Sequence, residues 1–352
     1  MPTLLLSDLD VRALLPMAEC VDVMADALRA VTVGEAVLPL RTVLRVGETP
    51  NAFASMPAIL GTGDGASLGA KIITVFPGND ATPFDAHIGV VLLFDAEFGT
   101  LLAIADASSI TAIRTSAVSG LATKLLANDD ASTLAILGAG VLALPHLEAV
   151  RSVRPIERVR VWSRSGAESG SRAQQFAAHA RATFGVDVTV CASVQEAVAE
   201  ADVVCTVTSS RTPVLEGRWL QPGTHVNAVG ASLRTARELD TSAVANARLF
   251  GDRRESVLAE AGDVLLPISE GAITEAHLLG ELGDLVTGRV HGRTSRRDIT
   301  LFKSLGLAVE DVAALRHIHT KAVATGRGVS VDLGGRRETA AVPTAQANMR
   351  VS

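Results

Sequence analysis

The sequence predicts an α/β protein in which an α+β half is followed by a half of alternating strands and helices. Three observations carry this. Residues 133–137, Thr133-Leu134-Ala135-Ile136-Leu137, read as a buried apolar strand that runs straight into Gly138-Ala139-Gly140 and then a helix. Further apolar strands recur at 158–162, 188–190, 203–207 and 225–229 with helical stretches between them, the pattern of a parallel sheet with right-handed crossovers. Ahead of residue 127 the texture is different: short β-branched runs at 42–46, 70–76 and 89–94, punctuated by Gly and Pro, predict a mostly antiparallel sheet.

The elements follow in order. Over 9–33 the residues Leu14, Leu15, Cys20, Val21, Met24, Leu28 and Val31 recur at helical spacing, which predicts an amphipathic helical region closed by Gly34. After the sheet, 108–126 is helical and begins behind Asp106, linking the two halves. The parallel module extends to about residue 298. A last amphipathic helix carrying Val309, Val312, Ala313, Leu315 and Ile318 then returns to the first half. The expected division is 1–127 with 301–340 as one domain and 128–300 as the other, with 341–352 a flexible tail.

Composition narrows the function. The 352 residues hold 48% hydrophobic side chains, enough for two cores, and a net charge of −6 with no clustered basic face, which argues against a nucleic-acid partner. The three cysteines lie far apart without CxxC spacing, so neither a disulfide framework nor a zinc site is expected, and a reducing cytoplasm fits. No basic, apolar leader and no uninterrupted span of about 18 apolar residues occurs, so neither export nor membrane insertion is expected. With no tyrosine in the chain, every mechanism that uses a phenol is excluded.

Gly138-Ala139-Gly140-Val141-Leu142-Ala143 has the GxGxx(G/A) form in the context that gives it meaning. Gly138 permits the tight turn, Gly140 lets the backbone approach a pyrophosphate, and Ala143 is small enough for close helix packing. N–H groups at the helix start face the phosphates. A glycine turn that merely joins strand to helix is the plainer reading, and the βαβ context outweighs it. The second half is thus expected to be a Rossmann-type dinucleotide domain. Where the second strand ends, a carboxylate would accept hydrogen bonds from the 2′-hydroxyl of NAD; the residues there are Ser163-Arg164-Ser165. Arg164 can grip a 2′-phosphate and both serines can donate to it, so NADPH is favoured and NADH expected to be weaker. The competing reading makes Arg164 a solvated loop residue.

Four residues of the first half stand out. Arg41 and Arg114 could clamp a carboxylate by paired hydrogen bonds. Lys71 lies inside an otherwise apolar strand, where an ammonium without purpose is costly. His87 titrates near neutrality and could donate a proton. The sequence offers no reason to prefer His87, Lys71 or a water as the proton source.

These residues sit in motifs that together resemble the ornithine cyclodeaminase/mu-crystallin family over about residues 4–330: Pro39-Leu40-Arg41-Thr42, Gly69-Ala70-Lys71, Ile113-Arg114-Thr115, Leu137-Gly138-Ala139-Gly140-Val141, Ala201-Asp202-Val203-Val204, Asn227-Ala228-Val229-Gly230-Ala231-Ser232 and Leu301-Phe302-Lys303-Ser304-Leu305-Gly306. The resemblance implies a homodimer whose first domain serves substrate binding and dimerisation, with a small imino or amino acid meeting a nicotinamide in the cleft. On it, Arg41, Lys71, Arg114 and Ser232 are expected at the substrate. His87, Arg114, Thr115, Thr208, Ser209, Val229, Gly230 and Ser304 are expected at the cofactor, beside Gly138, Gly140, Val141, Leu142, Ser163, Arg164 and Ser165.

Two departures refine the expectation. Cyclodeaminases place an aspartate where Ser232 stands, and a hydroxyl cannot hold ornithine's ammonium, so the chain is closer to the mu-crystallin-like ketimine reductases. Leu142 replaces a common glutamine, which leaves only backbone contact to the phosphates. The expected activity is NADPH-dependent reduction of a cyclic ketimine acid, Δ1-pyrroline-2-carboxylate or Δ1-piperideine-2-carboxylate, with Lys71 and His87 as the catalytic candidates. The rivals are an alanine dehydrogenase-like enzyme, an ornithine cyclodeaminase, and a protein that binds NADPH or a small ligand with little turnover.

Other polar residues read plainly. His317 and His319, two apart on a helix, do not share a face as metal ligands would and are expected at the surface, and His146, His179, His277 and His291 lack partners in sequence, with no HExxH pattern. Asp252, Glu255 and Asp263 could equally shape the cleft or solvate a loop. Cys205 is expected in the core.

Overall fold

The computed structural model describes residues 2–166 and 168–335. The expected tail at 341–352 lies outside the described residues. The first sheet has strand order Val329–Val331, Thr3–Leu6, Leu101–Asp106, His87–Asp95, Ser67–Val75 and Ala52–Leu60, with Ala36–Val37 and Thr42–Arg45 both paired to the last of these. Its pairs are antiparallel except that Thr3–Leu6 runs parallel to Leu101–Asp106. Side chains alternate across it: Ala52, Ala54, Met56, Ala58 and Leu60 face the core, while Phe53 and Ile59 of the same strand face outward.

Helices Met17–Thr32, Ala107–Leu126 and Ala308–Thr325 cover the inner face. The helical region expected over 9–33 is two helices, Asp8–Leu14 and Met17–Thr32, because Pro16 cannot continue the first and starts the second. Ser7 caps the first through a reciprocal box with Asp10.

The second sheet is parallel throughout, in the order Asp187–Val190, Arg158–Trp162, Thr133–Leu137, Val203–Thr206, His225–Ala228, Thr300–Lys303, Arg248–Gly251 and Leu278–Glu281. A boundary at residue 300 therefore cuts an interior strand: Thr300–Lys303 belongs to this sheet, and the chain leaves it only at the loop 304–307. From Thr133–Leu137 the next two strands in sequence extend to one side, and the chain then crosses to Val203–Thr206 on the other. The crevice at the carboxyl ends of these two strands is the topological switch point.

Helix Ala107–Leu126 joins the halves and is buried nearly all round, so it is not amphipathic. Asp106 caps it by accepting from Ser109 N at 2.7 Å. Gly120 lets helix Ala143–Val153 approach, since a Cβ there would lie 3.1 Å from Ala149 O. Helix Ala107–Leu126 also packs against helix Ala308–Thr325, so the two long helices lie side by side over the first sheet, and Ala107–Leu126 touches the parallel sheet as well. Among the described residues no helix is long and apolar enough to cross a membrane.

Candidate active site

The nucleotide turn is built as its glycines require. Gly138 has φ +110°, and a Cβ on it would lie 2.7 Å from Val207 O, because the segment after strand Val203–Thr206 closes over it. A Cβ on Gly140 would meet only open space. Helix Ala143–Val153 carries no side-chain cap, and Val141 before it is exposed. Bare N–H groups, an open approach and a switch-point position fit a dinucleotide pyrophosphate. Leu142 supplies backbone only. At the end of strand Arg158–Trp162, Ser163 is buried and shares a 2.8 Å hydrogen bond with Ser165, while Arg164 is exposed.

Two further segments border this crevice, and one residue ties them. Glu238 Oε1 accepts from Thr208 N and Oγ1, both at 2.7 Å, and Oε2 accepts from Thr206 Oγ1 and Gly230 N at the same distance. Burial raises the Glu238 pKa. Asp263 anchors the base by accepting from Glu238 N and from Lys303 Nζ at 2.8 and 2.9 Å. Val229 is buried, whereas Ser209 is exposed, as is Ser232 in the loop beyond. Buried Ser304 donates its N–H to Ala228 O.

The three cations singled out in the first half converge from a strand, a helix and a loop. Lys71 projects from strand Ser67–Val75 toward the helices, and Arg114 from helix Ala107–Leu126; both are buried. Their counter-ions come from the last helix, where sequence reading saw only an apolar stripe. Lys71 Nζ lies 2.8 Å from Asp311 Oδ2, Arg114 Nε 2.9 Å from Asp311 Oδ1, and Arg114 Nη1 2.7 Å from Glu310 Oε2. Arg114 Nη2 has no protein acceptor among the described residues. Burial, and then the Arg114 charge, lower the Lys71 pKa to about 8. Burial raises that of Glu310 to about 7, and its Oε1 is unpartnered.

The cluster touches the parallel sheet through the loop 304–307. Arg41 Nη2 donates to Leu305 O and Gly306 O, and its Nε lies 3.0 Å from Glu260 Oε2. Buried Asp252 holds the same loop by accepting from Leu305 N and Gly306 N at 2.6 and 2.8 Å. A small cavity lies here, lined by Arg41, Met56, Arg253, Glu260 and Gly306 among others. Of the three acids left open by the sequence, Asp252 and Asp263 are thus structural members of the cleft, whereas Glu255 sits at the surface beside Arg253. His87 is exposed at the start of strand His87–Asp95; partial desolvation and the nearby Lys71 charge lower its pKa. Thr115 is buried next to Arg114.

His146, without a partner in sequence, has three in space: it is fully buried, with Ser116 and Ser119 of helix Ala107–Leu126 at 2.9 and 3.0 Å from its two ring nitrogens and Leu142 O at 2.8 Å from Nδ1. The two serines lie about thirty residues away in sequence, across a helix pair that only folding creates. Burial lowers its pKa to about 4. Cys205 is buried, its pKa pushed to about 12.

Comparison with known proteins agrees with this geometry. The model of the ornithine cyclodeaminase/mu-crystallin family matches residues 1–326. The chain is 37% identical over 331 residues to a Delta(1)-pyrroline-2-carboxylate reductase of Bacillus cereus, covering 94% of this chain and 99% of that one. It is 41% identical over 286 residues to ketimine reductase mu-crystallin of Mus musculus, covering 81% and 85%. The solved structure of Thermococcus litoralis Delta(1)-pyrroline-2-carboxylate reductase in complex with NADH and L-proline superposes with a TM-score of 0.89 at 37% identity, covering 94% of this chain and all of that one. The chain belongs to the ornithine cyclodeaminase/mu-crystallin family.

Proposed function

We propose that this protein is an NAD(P)H-dependent ketimine reductase that converts a cyclic imino acid, of the Δ1-pyrroline-2-carboxylate or Δ1-piperideine-2-carboxylate type, to the L-amino acid. The observation that carries the reading is the buried Lys71 and Arg114 pair held against the loop 304–307, at the carboxyl edge of the dinucleotide-binding sheet. Arg114, with Nη2 uncommitted, and Lys71 take the substrate carboxylate, and Arg41 closes the cleft beside them. This fixes the C=N carbon toward the crevice between Gly138 and Thr208. The nicotinamide supplies a hydride to that carbon when bound. The imine nitrogen gains one proton, so C=N becomes CH–NH. Lys71 is the better donor of the two candidates, since an ammonium with a pKa of about 8 is charged at neutral pH whereas lowered His87 is neutral there.

The chain binds a nicotinamide cofactor, and NADPH is the preferred form: Arg164 is exposed and flanked by two serines, with no carboxylate at that strand end. The half formed by the first sheet and its helices binds substrate and dimerises. Its outer face exposes Leu5, Phe53, Ile59 and Ile88 in one apolar layer, which a second copy would cover.

Consumption of NADPH with a panel of acids tests the activity. Rapid reduction of a cyclic ketimine is expected. Reduction of pyruvate with ammonia, and of no cyclic imine, would instead favour an amino acid dehydrogenase, and tight NADPH binding without turnover a binding protein.

A further inference from the structure

Of the 32 basic residues in this chain only Lys71, Lys124, Lys303 and Lys321 are lysines. Two of these four are fully buried, and each lies on a buried aspartate, Lys71 on Asp311 and Lys303 on Asp263. A buried lysine differs from an arginine in that it can discharge itself by losing its proton. Burial and the two nearby arginines push Lys71 that way. It is out of water, Arg114 faces it from helix Ala107–Leu126 and Arg41 from the loop after Leu38, while its uncharged polar neighbours, His87 of the next strand and Thr111 at 3.5 Å, do not hold the proton on it. Helix Ala308–Thr325 alone opposes these, through Asp311 directly and Glu310 behind it.

Asp311 divides its two oxygens between the two cations, Oδ2 to Lys71 and Oδ1 to Arg114 Nε. Glu310 takes Nη1, so the guanidinium is pinned along one side and keeps Nη2 for another anion. We propose that Asp311 is a positioning residue of the reductase site: it holds the Lys71 ammonium charged and in place while orienting Arg114 toward the substrate, and Glu310 completes the hold on Arg114. The role rests on the reading of Lys71 as a substrate-side group given above. Asp311 touches no reacting atom; it acts through its partners.

Asp311→Asn in the full-length chain with NADPH present tests this. With four lysines, the side-chain ammonium signals of a sample whose lysines carry nitrogen-15 are few enough to follow, and Lys71 is identified by its loss in Lys71→Arg. The Lys71 titration midpoint is expected to fall by about one pH unit or more. The alkaline limb of kcat/KM for the ketimine should move by the same amount. Glu310→Gln should leave the Lys71 midpoint nearly in place while raising KM. An unchanged Lys71 midpoint in Asp311→Asn overturns the proposal. If that variant does not fold, Asp311→Glu keeps the charge but displaces it, so KM should rise with the midpoint held; an unchanged KM there also overturns it. If the parent enzyme reduces no ketimine, the functional reading fails, and the lysine titration still decides the role of Asp311.

Discussion

Gly306 lies so close to Arg114 that a Cβ at position 306 would come within 2.4 Å of Nη1 and 2.9 Å of Nη2. Its φ of +80° is a second reason for glycine. The loop that follows strand Thr300–Lys303 therefore leaves Arg114, the arginine proposed to hold the substrate, its room. Gly306→Ala should combine backbone strain of about 1–3 kcal/mol with displacement of the guanidinium. A lower thermal midpoint and a loss of about tenfold or more in kcat/KM are expected from melting curves and steady-state kinetics, with NADPH affinity far less affected.

Cofactor choice should reverse at one exposed residue. If Arg164 reads the 2′-phosphate as proposed, Arg164→Asp removes that charge-assisted contact and adds repulsion, so the NADPH over NADH ratio of kcat/KM should fall by about a hundredfold. An unchanged ratio would remove Arg164 from the nucleotide site.

Acid should remove the stability that two buried histidines contribute. Burial lowers the pKa of His146 to about 4 and of His225 to about 3, from an ordinary 6.5. Between those values and 6.5 the unfolded chain binds protons that the folded chain refuses, so the stability they contribute is complete above about pH 6.5 and lost as pH falls. Glu310 works in the opposite sense, because its raised pKa keeps a proton on the folded state up to about 7 and so favours folding at lower pH. Glu238, Asp252 and Glu260, whose pKa burial also raises, act in the same sense as Glu310, so the histidine contribution is read as the part of the acid limb of the melting temperature that a histidine variant removes. His225→Gln, whose amide can serve Thr300 and Asn227, should show a shallower acid limb.

The outer face of the first sheet predicts the assembly. Phe53 and Ile88 are each 42% exposed in an apolar layer. Phe53→Asp combined with Ile88→Asp should convert a dimer to a monomer in light scattering, since two desolvated carboxylates oppose association. A mass unchanged from the parent would place the dimer contact elsewhere.

The proposed activity parts from ornithine chemistry at Ser232. It is exposed in the loop past strand His225–Ala228 and supplies no charge, so an ammonia assay with ornithine and either nicotinamide should detect nothing. Ser232→Asp should weaken ketimine reduction, because a carboxylate there competes with Arg114 and Lys71 for the substrate's orientation. Rapid conversion of ornithine to proline by the parent would show that position 232 has no such meaning.

Local patterns determined much of this protein. The strand before Gly138, the open side of Gly140 and the Ser163-Arg164-Ser165 end are consecutive residues whose chemistry is readable because the turn is made by neighbours in the chain. Lys71 was legible because a charge inside an apolar strand demands an explanation, and Arg41 and Arg114 because their motifs are continuous. Only the tertiary structure decided what those cations rest on. Arg114 and its acids are almost two hundred residues apart, and Glu310 and Asp311 read in sequence as the polar side of an amphipathic helix until packing buries them. His146 has no partner in sequence until two serines of another helix close on it. The boundary at 300 misses a strand for the same reason: four residues of which only Leu301 and Phe302 are apolar become an interior strand only through their neighbours on both sides. Periodicity records which face of an element is apolar. Which element covers that face, and which buried charge meets its opposite there, is set by contacts between residues that the chain brings together only on folding.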